Sequence, residues 1–203
     1  MPTNDVTSPF PTLIGEASVW GGRQFPGWFR KMTGLDPVAV LLAICRIESD
    51  CGADIGPREE PHIKRLVERN APDCANRWGP IAWKSWGPWQ VLGIVAWESG
   101  LRCEAPQAEI LLQYPISNVR FAVLQLENHG AFRAIFSYCA KNPHEDSEAL
   151  MKTRAKSLEI IGRTYNGGNP GAENAAVNRY VAKLKSEIGN RVAISTNIEE
   201  PTT

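Results

Sequence analysis

The sequence predicts a mainly α fold with one small irregular or β-containing lobe around residues 51–85. Three observations lead there. Apolar residues recur at helical spacing through most of the chain, strand-like alternation is scarce, and Gly, Pro and Asp are scattered through 51–85. The chain has 203 residues, which fits one domain. The expected division is a loose arm over 1–15, rich in Pro and Thr, a folded domain over 16–192, and a loose tail over 193–203.

About seven helices are expected, in order along the chain. "LDPVAVLLAICRIES" has Asp36 as N-cap and Pro37 at the first helical position. "PHIKRLVERN" is a short polar helix. "PWQVLGIVAWESG" opens at Pro88 and closes near Gly100. "APQAEILLQY" and "ISNVRFAVLQLENHGAFRAIFSYCA" follow, the second broken at Gly130. "SEALMKTRAKSLEIIGRTYNGG" stops at a glycine pair. "GAENAAVNRYVAKLKSEIG" is the last.

Composition excludes several function classes. Lys+Arg and Asp+Glu number 22 each, so no basic field points to nucleic acid. The longest apolar run, "VAVLLAI", is too short to span a bilayer. The first 30 residues lack the charged start and apolar run of a secretory signal. Synthesis in a cytoplasm is therefore expected, and work outside it would need another exit route or lysis. The five cysteines form no CxxC pair, and the three histidines are not at metal-ligand spacing with them. No metal and no other cofactor are expected. Thiols are expected over disulfides, although a Cys45–Cys51 or Cys51–Cys74 bridge stays open.

One helix carries a chemical signal. Glu48 lies three and four residues beyond Cys45 and Ile44, and so continues the apolar stripe of its helix. A carboxyl group there is desolvated, its pKa rises, and it becomes a general acid for neutral pH. Periodicity alone leaves open that the helix ends by Ile47 and exposes Glu48. Five of the seven tryptophans fall within residues 78–97. Trp83 and Trp86, flanked by Lys84, Ser85 and Gly87, suit a groove wall for sugar rings, whereas Trp89 and Trp97 suit a core. In "RTYNGGNPG", Tyr165 would turn inward with its hydroxyl aimed at a buried acid.

Taken together, these stretches resemble lytic transglycosylases of the soluble-lytic-transglycosylase type, relatives of goose-type lysozyme. "RIESDCG" matches a Glu-Ser pair ending a buried helix. "SWGPWQV" matches a Ser-x-x-Gly-Leu-Met-Gln-like loop, with Pro88-Trp89 replacing Leu-Met. "TYNGG" matches Ala-Tyr-Asn-Ala/Gly-Gly, with Thr164 replacing Ala, and "NRYVAKL" matches a downstream Tyr-Val helix. The order agrees over about residues 36–185. "REEPHIKR" also resembles an Arg-x-Glu-Pro-His segment of phage muramidases and singles out Glu60.

The resemblance implies a lysozyme-like fold and cleavage of the β-1,4 bond between N-acetylmuramic acid and N-acetylglucosamine, leaving 1,6-anhydromuramic ends. It implies Glu48 as catalytic acid, Tyr165 hydrogen-bonded to it, and Glu60 as a second carboxylate. Ser49, Ser85, Trp86, Gly87, Trp89, Gln90, Asn166 and Gly167 would bind substrate, with Gly87 letting the backbone approach the sugar. The partners implied are peptidoglycan glycan strands, with no nucleic acid, no membrane insertion and a monomeric state. The missing signal and neutral charge suggest a phage lysis protein or virion component acting on the wall after release, with a bacterial domain lacking its leader as the alternative. A goose-type muramidase using a second carboxylate is the close alternative, and a non-catalytic peptidoglycan-binding virion module the remote one.

Overall fold

The structure is a computed structural model in which residues 10–195 are described. Eleven α-helices and a three-stranded antiparallel sheet make up the described chain, so the mainly α expectation with a small β lobe holds.

The element that carries Glu48 is α3 (Pro37–Ser49). Its start follows the local signals: Asp36 Oδ1 accepts from the Val38 N–H at 3.3 Å, and Pro37 occupies the first turn. Val40, Leu41, Ala43, Ile44 and Cys45 are wholly buried. Polar capping gives way at the far end to Asp50, Cys51 and Gly52, all left-handed with φ of 50°, 54° and 89°. The helix packs against α1 (Phe10–Gly22) and the long α11 (Ala175–Ser195). In turn α11 packs on α10 (Ser147–Gly167), which Asp146 caps at one end and Gly168, at φ 77°, at the other. Gly162 sits where the two helices meet; a Cβ there would lie 2.9 Å from a Val181 methyl.

Several helices escaped the sequence. α1 starts at Phe10, so the arm expected over 1–15 is helical from that residue, and α11 continues to Ser195, past the expected boundary at 192. The remainder of the arm and tail, 1–9 and 196–203, lies outside the described residues. The short α2 (Phe29–Thr33) and α5 (Pro72–Trp78) have too few turns to show periodicity. α4 (Pro61–Asn70) and α7 (Ala105–Gln113) fall where expected. Gly130, at φ 85°, does break its segment, into α8 (Pro115–Asn128) and α9 (Ala131–Lys141).

The helix expected from Pro88 is a correction. β1 (Arg58–Glu59), β2 (Lys84–Trp86) and β3 (Val91–Leu92) form the sheet, and residues 87–90 are the turn between β2 and β3. Only Gly93–Glu98 is helical there, as α6. Gly87 and Gln90 both have positive φ, 70° and 47°, which ends any helix through them. The β lobe therefore extends from 58 to 92, beyond the expected 85.

Candidate active site

Four successive carbonyls, from Trp86 to Trp89, are each taken by a different side chain. Trp86 O accepts from Asn118 Nδ2 at 2.8 Å, Gly87 O from Gln90 Nε2 at 3.0 Å, Pro88 O from Ser49 Oγ at 2.7 Å, and Trp89 O from the Tyr165 hydroxyl at 2.5 Å. Asn118 Oδ1 also accepts from the Trp89 N–H at 2.8 Å. Buried backbone groups must be paired, and here the pairing joins α8, α3 and α10 through one short turn. It fixes the residue that follows, Gln90, in a left-handed conformation that non-glycine residues rarely adopt.

The sheet supplies one wall of a cavity of about 390 Å³. Directly paired residues share a face, and the row Arg58, Ser85, Leu92 lines this cavity. Glu59 and Lys84, the neighbouring pair, form an ion pair at 2.8 Å away from it. Glu60 and His62 continue the lining from the start of α4. Gln125 of α8, Tyr165 and Asn166 of α10, and Asn174 with the first turn of α11 complete it, around Glu48 and Gln90.

Glu48 is the buried acid of this cavity, its side chain 13% exposed. Burial raises its pKa from 4.5 to about 7. The Tyr180 hydroxyl opposes that rise most, followed by the Arg58 guanidinium; the Glu60 charge adds to it, and Lys183 lowers it slightly. Tyr180 and Glu48 are close enough to couple, but the hydroxyl falls short of full hydrogen-bond geometry and has no other partner. Burial and the Glu48 charge hold the Tyr180 and Tyr165 phenols well above their ordinary pKa, so both stay neutral donors.

Glu60 lies on the same lining, its side chain a quarter exposed. Ser85 Oγ donates to its Oε1 at 3.4 Å, and His62 Nδ1 stands 3.9 Å from its Oε2. The cavity thus holds one buried carboxyl group and one wetter one. Gln90 turns its amide N–H groups to the Gly87 and Gly56 carbonyls, at 3.0 and 3.3 Å. Its Oε1 is buried without a partner.

The structure brings together Glu48, Glu60, Ser85, Gln90, Tyr165 and Asn166 of the expected site. It corrects the others. Tyr165 donates to Trp89 O, not to Glu48. Trp86 and Trp89 are core residues whose indole N–H groups bond Ile81 O and Leu41 O at 3.1 and 2.8 Å, so neither walls the groove. Gly87 faces inward: a Cβ would lie 2.4 Å from Leu112 O, so its lack of a side chain serves packing and not a sugar. Gly167 likewise abuts Ala172 and Val177. Ser49 is buried and accepts from the Gly52 N–H at 2.9 Å while donating to Pro88, a structural tie beside Glu48.

Sequence reading quoted the stretches that hold Tyr180 and Arg58 without giving either residue a role, and it missed Gln125 and Asn118. Gln125 is an amide on the buried side of α8, donating to Tyr165 O at 2.9 Å. A polar residue inside an apolar stripe, such as Asn118 or Gln125, was the available signal.

No disulfide joins the five cysteines. Among the described residues no cluster of three or more His, Cys, Asp or Glu side chains could hold a metal ion, and no helix is long and apolar enough to cross a membrane. Compared with protein-family models, curated proteins and solved structures, the chain gives no match in any of the three.

Proposed function

We propose that this protein cleaves peptidoglycan as a lytic transglycosylase, cutting the β-1,4 bond between N-acetylmuramic acid and N-acetylglucosamine. The observation that carries the reading is Glu48: a carboxyl group raised by burial to about 7, inside an open polar cavity. A group protonated near neutral pH and next to solvent-accessible space suits proton donation to a glycosidic oxygen.

In the proposed sequence the Glu48 proton passes to the glycosidic oxygen and the bond to the anomeric carbon breaks. The substrate's own N-acetyl group stabilises the positive charge that develops. Glu48, now a carboxylate, takes the proton of the muramic C6 hydroxyl, and O6 closes on the anomeric carbon. The product ends in a 1,6-anhydro ring and Glu48 is protonated again. Gln90 lines the cavity beside this centre. The action falls on the cell wall, in keeping with a phage lysis or virion enzyme.

One observation favours a second reading, a hydrolytic muramidase. Glu60 lines the same cavity as Glu48, is more exposed, and is held by Ser85. Such a carboxylate suits a base that activates water.

Mass spectrometry of digested peptidoglycan separates the two. Anhydromuramic ends are expected, with Glu60→Gln lowering activity only modestly. Reducing muramic ends, with a loss of roughly 10²–10⁴-fold in Glu60→Gln, would establish the hydrolase instead.

A further inference from the structure

We infer that Arg58 is a positioning residue of the proposed cleavage, its guanidinium holding both the main-chain carbonyl and the carboxylate of Glu48. The inference rests on the reaction proposed above. Arg58 Nη2 donates to Glu48 O at 2.7 Å, and Nη1 stands 3.6 Å from Glu48 Oε2. The last carbonyls of a helix lack a following helical N–H. The N–H groups of Asp50, Cys51, Gly52 and Asp54 turn back to Arg46, Cys45 and Ser49, while the Glu48 carbonyl receives Arg58. One planar group thus ties down the end of α3 just before the chain turns left-handed at Asp50.

The placement has a chemical consequence. Arg58 is anchored in β1, opposite Ser85, with its side chain half exposed. The other charged or titratable groups facing Glu48 are Glu60 from the start of α4, Tyr165 from α10, and Tyr180 and Lys183 from α11. When the Glu48 proton leaves for the glycosidic oxygen, the carboxylate that remains has the guanidinium beside it. Arg58 exchanges no proton. It stabilises the charge left behind and keeps the acid from turning out of the cavity.

Arg58→Gln removes the charge and shortens the side chain, and Arg58→Lys keeps the charge without the fork. Two readouts are taken on each: the pH profile of fragment release from purified peptidoglycan, and the titration of the Glu48 side chain by NMR of 13C-labelled glutamate. Glu48→Gln assigns the resonance, which separates Glu48 from Glu60 in the same cavity. In Arg58→Gln both the Glu48 titration and the high-pH limb of activity are expected to move up by about one pH unit. The turnover rate falls about tenfold, with KM little changed. Arg58→Lys returns the titration most of the way. An unmoved titration in Arg58→Gln, or a change confined to KM, overturns the inference. A wild type that releases no fragments while its Glu48 titration still moves in Arg58→Gln refutes the proposed reaction and upholds the pairing.

Discussion

The Tyr165 hydroxyl donates to the Trp89 carbonyl at 2.5 Å, while the phenol that couples to the Glu48 carboxyl is Tyr180. Two buried tyrosines, whose stacked rings lie 6.4 Å apart, therefore divide the work. One fixes the turn before Gln90 and the other faces the acid.

Their phenylalanine variants should separate. Tyr165→Phe leaves a buried carbonyl without its donor, which costs about 1–3 kcal/mol of stability. Its activity should drop while the high-pH limb stays in place. Tyr180→Phe removes the group that most opposes the rise at Glu48, so its limb should move to higher pH. A limb that moves in Tyr165→Phe and not in Tyr180→Phe would reverse the assignment.

Folding stability should carry the signature of a buried acid. The pKa of Glu48 is raised on folding, so its protonated form is favoured in the native state. That contribution is complete below pH 4.5 and is lost as pH rises through about 7. Glu48→Gln lacks the dependence. Above neutral pH the variant should be more stable than wild type, by at most on the order of 3 kcal/mol. Denaturant titrations at several pH values check this, and a stability difference that does not change with pH would show Glu48 to be solvated.

Gly87→Ala should act on folding. Its φ of 70° and the 2.4 Å approach of Leu112 O leave no place for a methyl group. A loss of about 2 kcal/mol or more is expected from strain and displaced packing. Unchanged stability together with a raised KM would return Gly87 to the substrate-facing role its sequence context suggested.

How much of this was readable from sequence differs by residue. For Glu48 the local signal, a carboxylate in register with Leu41, Ile44 and Cys45, left open whether the helix ended before it; the resemblance at "RIESDCG" singled it out, and it lies inside α3. The caps Asp36 and Asp146 are local too. Trp89, read from its residues as core, was misplaced only by the resemblance. Trp86 misled because an indole in a polar, glycine-containing stretch suits a groove as well as a core. What decides is whether its N–H finds a carbonyl inside, and those carbonyls belong to Ile81 and to Leu41, the latter far away in the chain. Arg58 stood in "REEPHIKR" beside Glu60 with nothing local to give it a role. Its role depends on β1 pairing with β2, which sets it beside the end of α3. Pro88 suited a helix start equally well as a turn, and the positive φ values at Gly87 and Gln90 come from tertiary clamping by Asn118, Ser49 and Tyr165.

The cysteines give an independent check. No disulfide joins them, and the hydrogen bond with the adjoining Cys51 thiol, together with burial, makes Cys45 hard to ionise. The melting temperature should be the same with and without reductant. A drop of many degrees on reduction would mean that a bridge forms in solution.

The most direct measurement is the release of soluble fragments from purified peptidoglycan by wild-type and Glu48→Gln protein, with circular dichroism confirming that the variant is folded. The wild type should release fragments near neutral pH, with activity falling as pH rises through about 7. The folded Glu48→Gln protein should be slower by at least about 10²-fold, the lower end for loss of a general acid. A folded Glu48→Gln protein that releases fragments at near the wild-type rate would contradict the assignment of Glu48 as the acid.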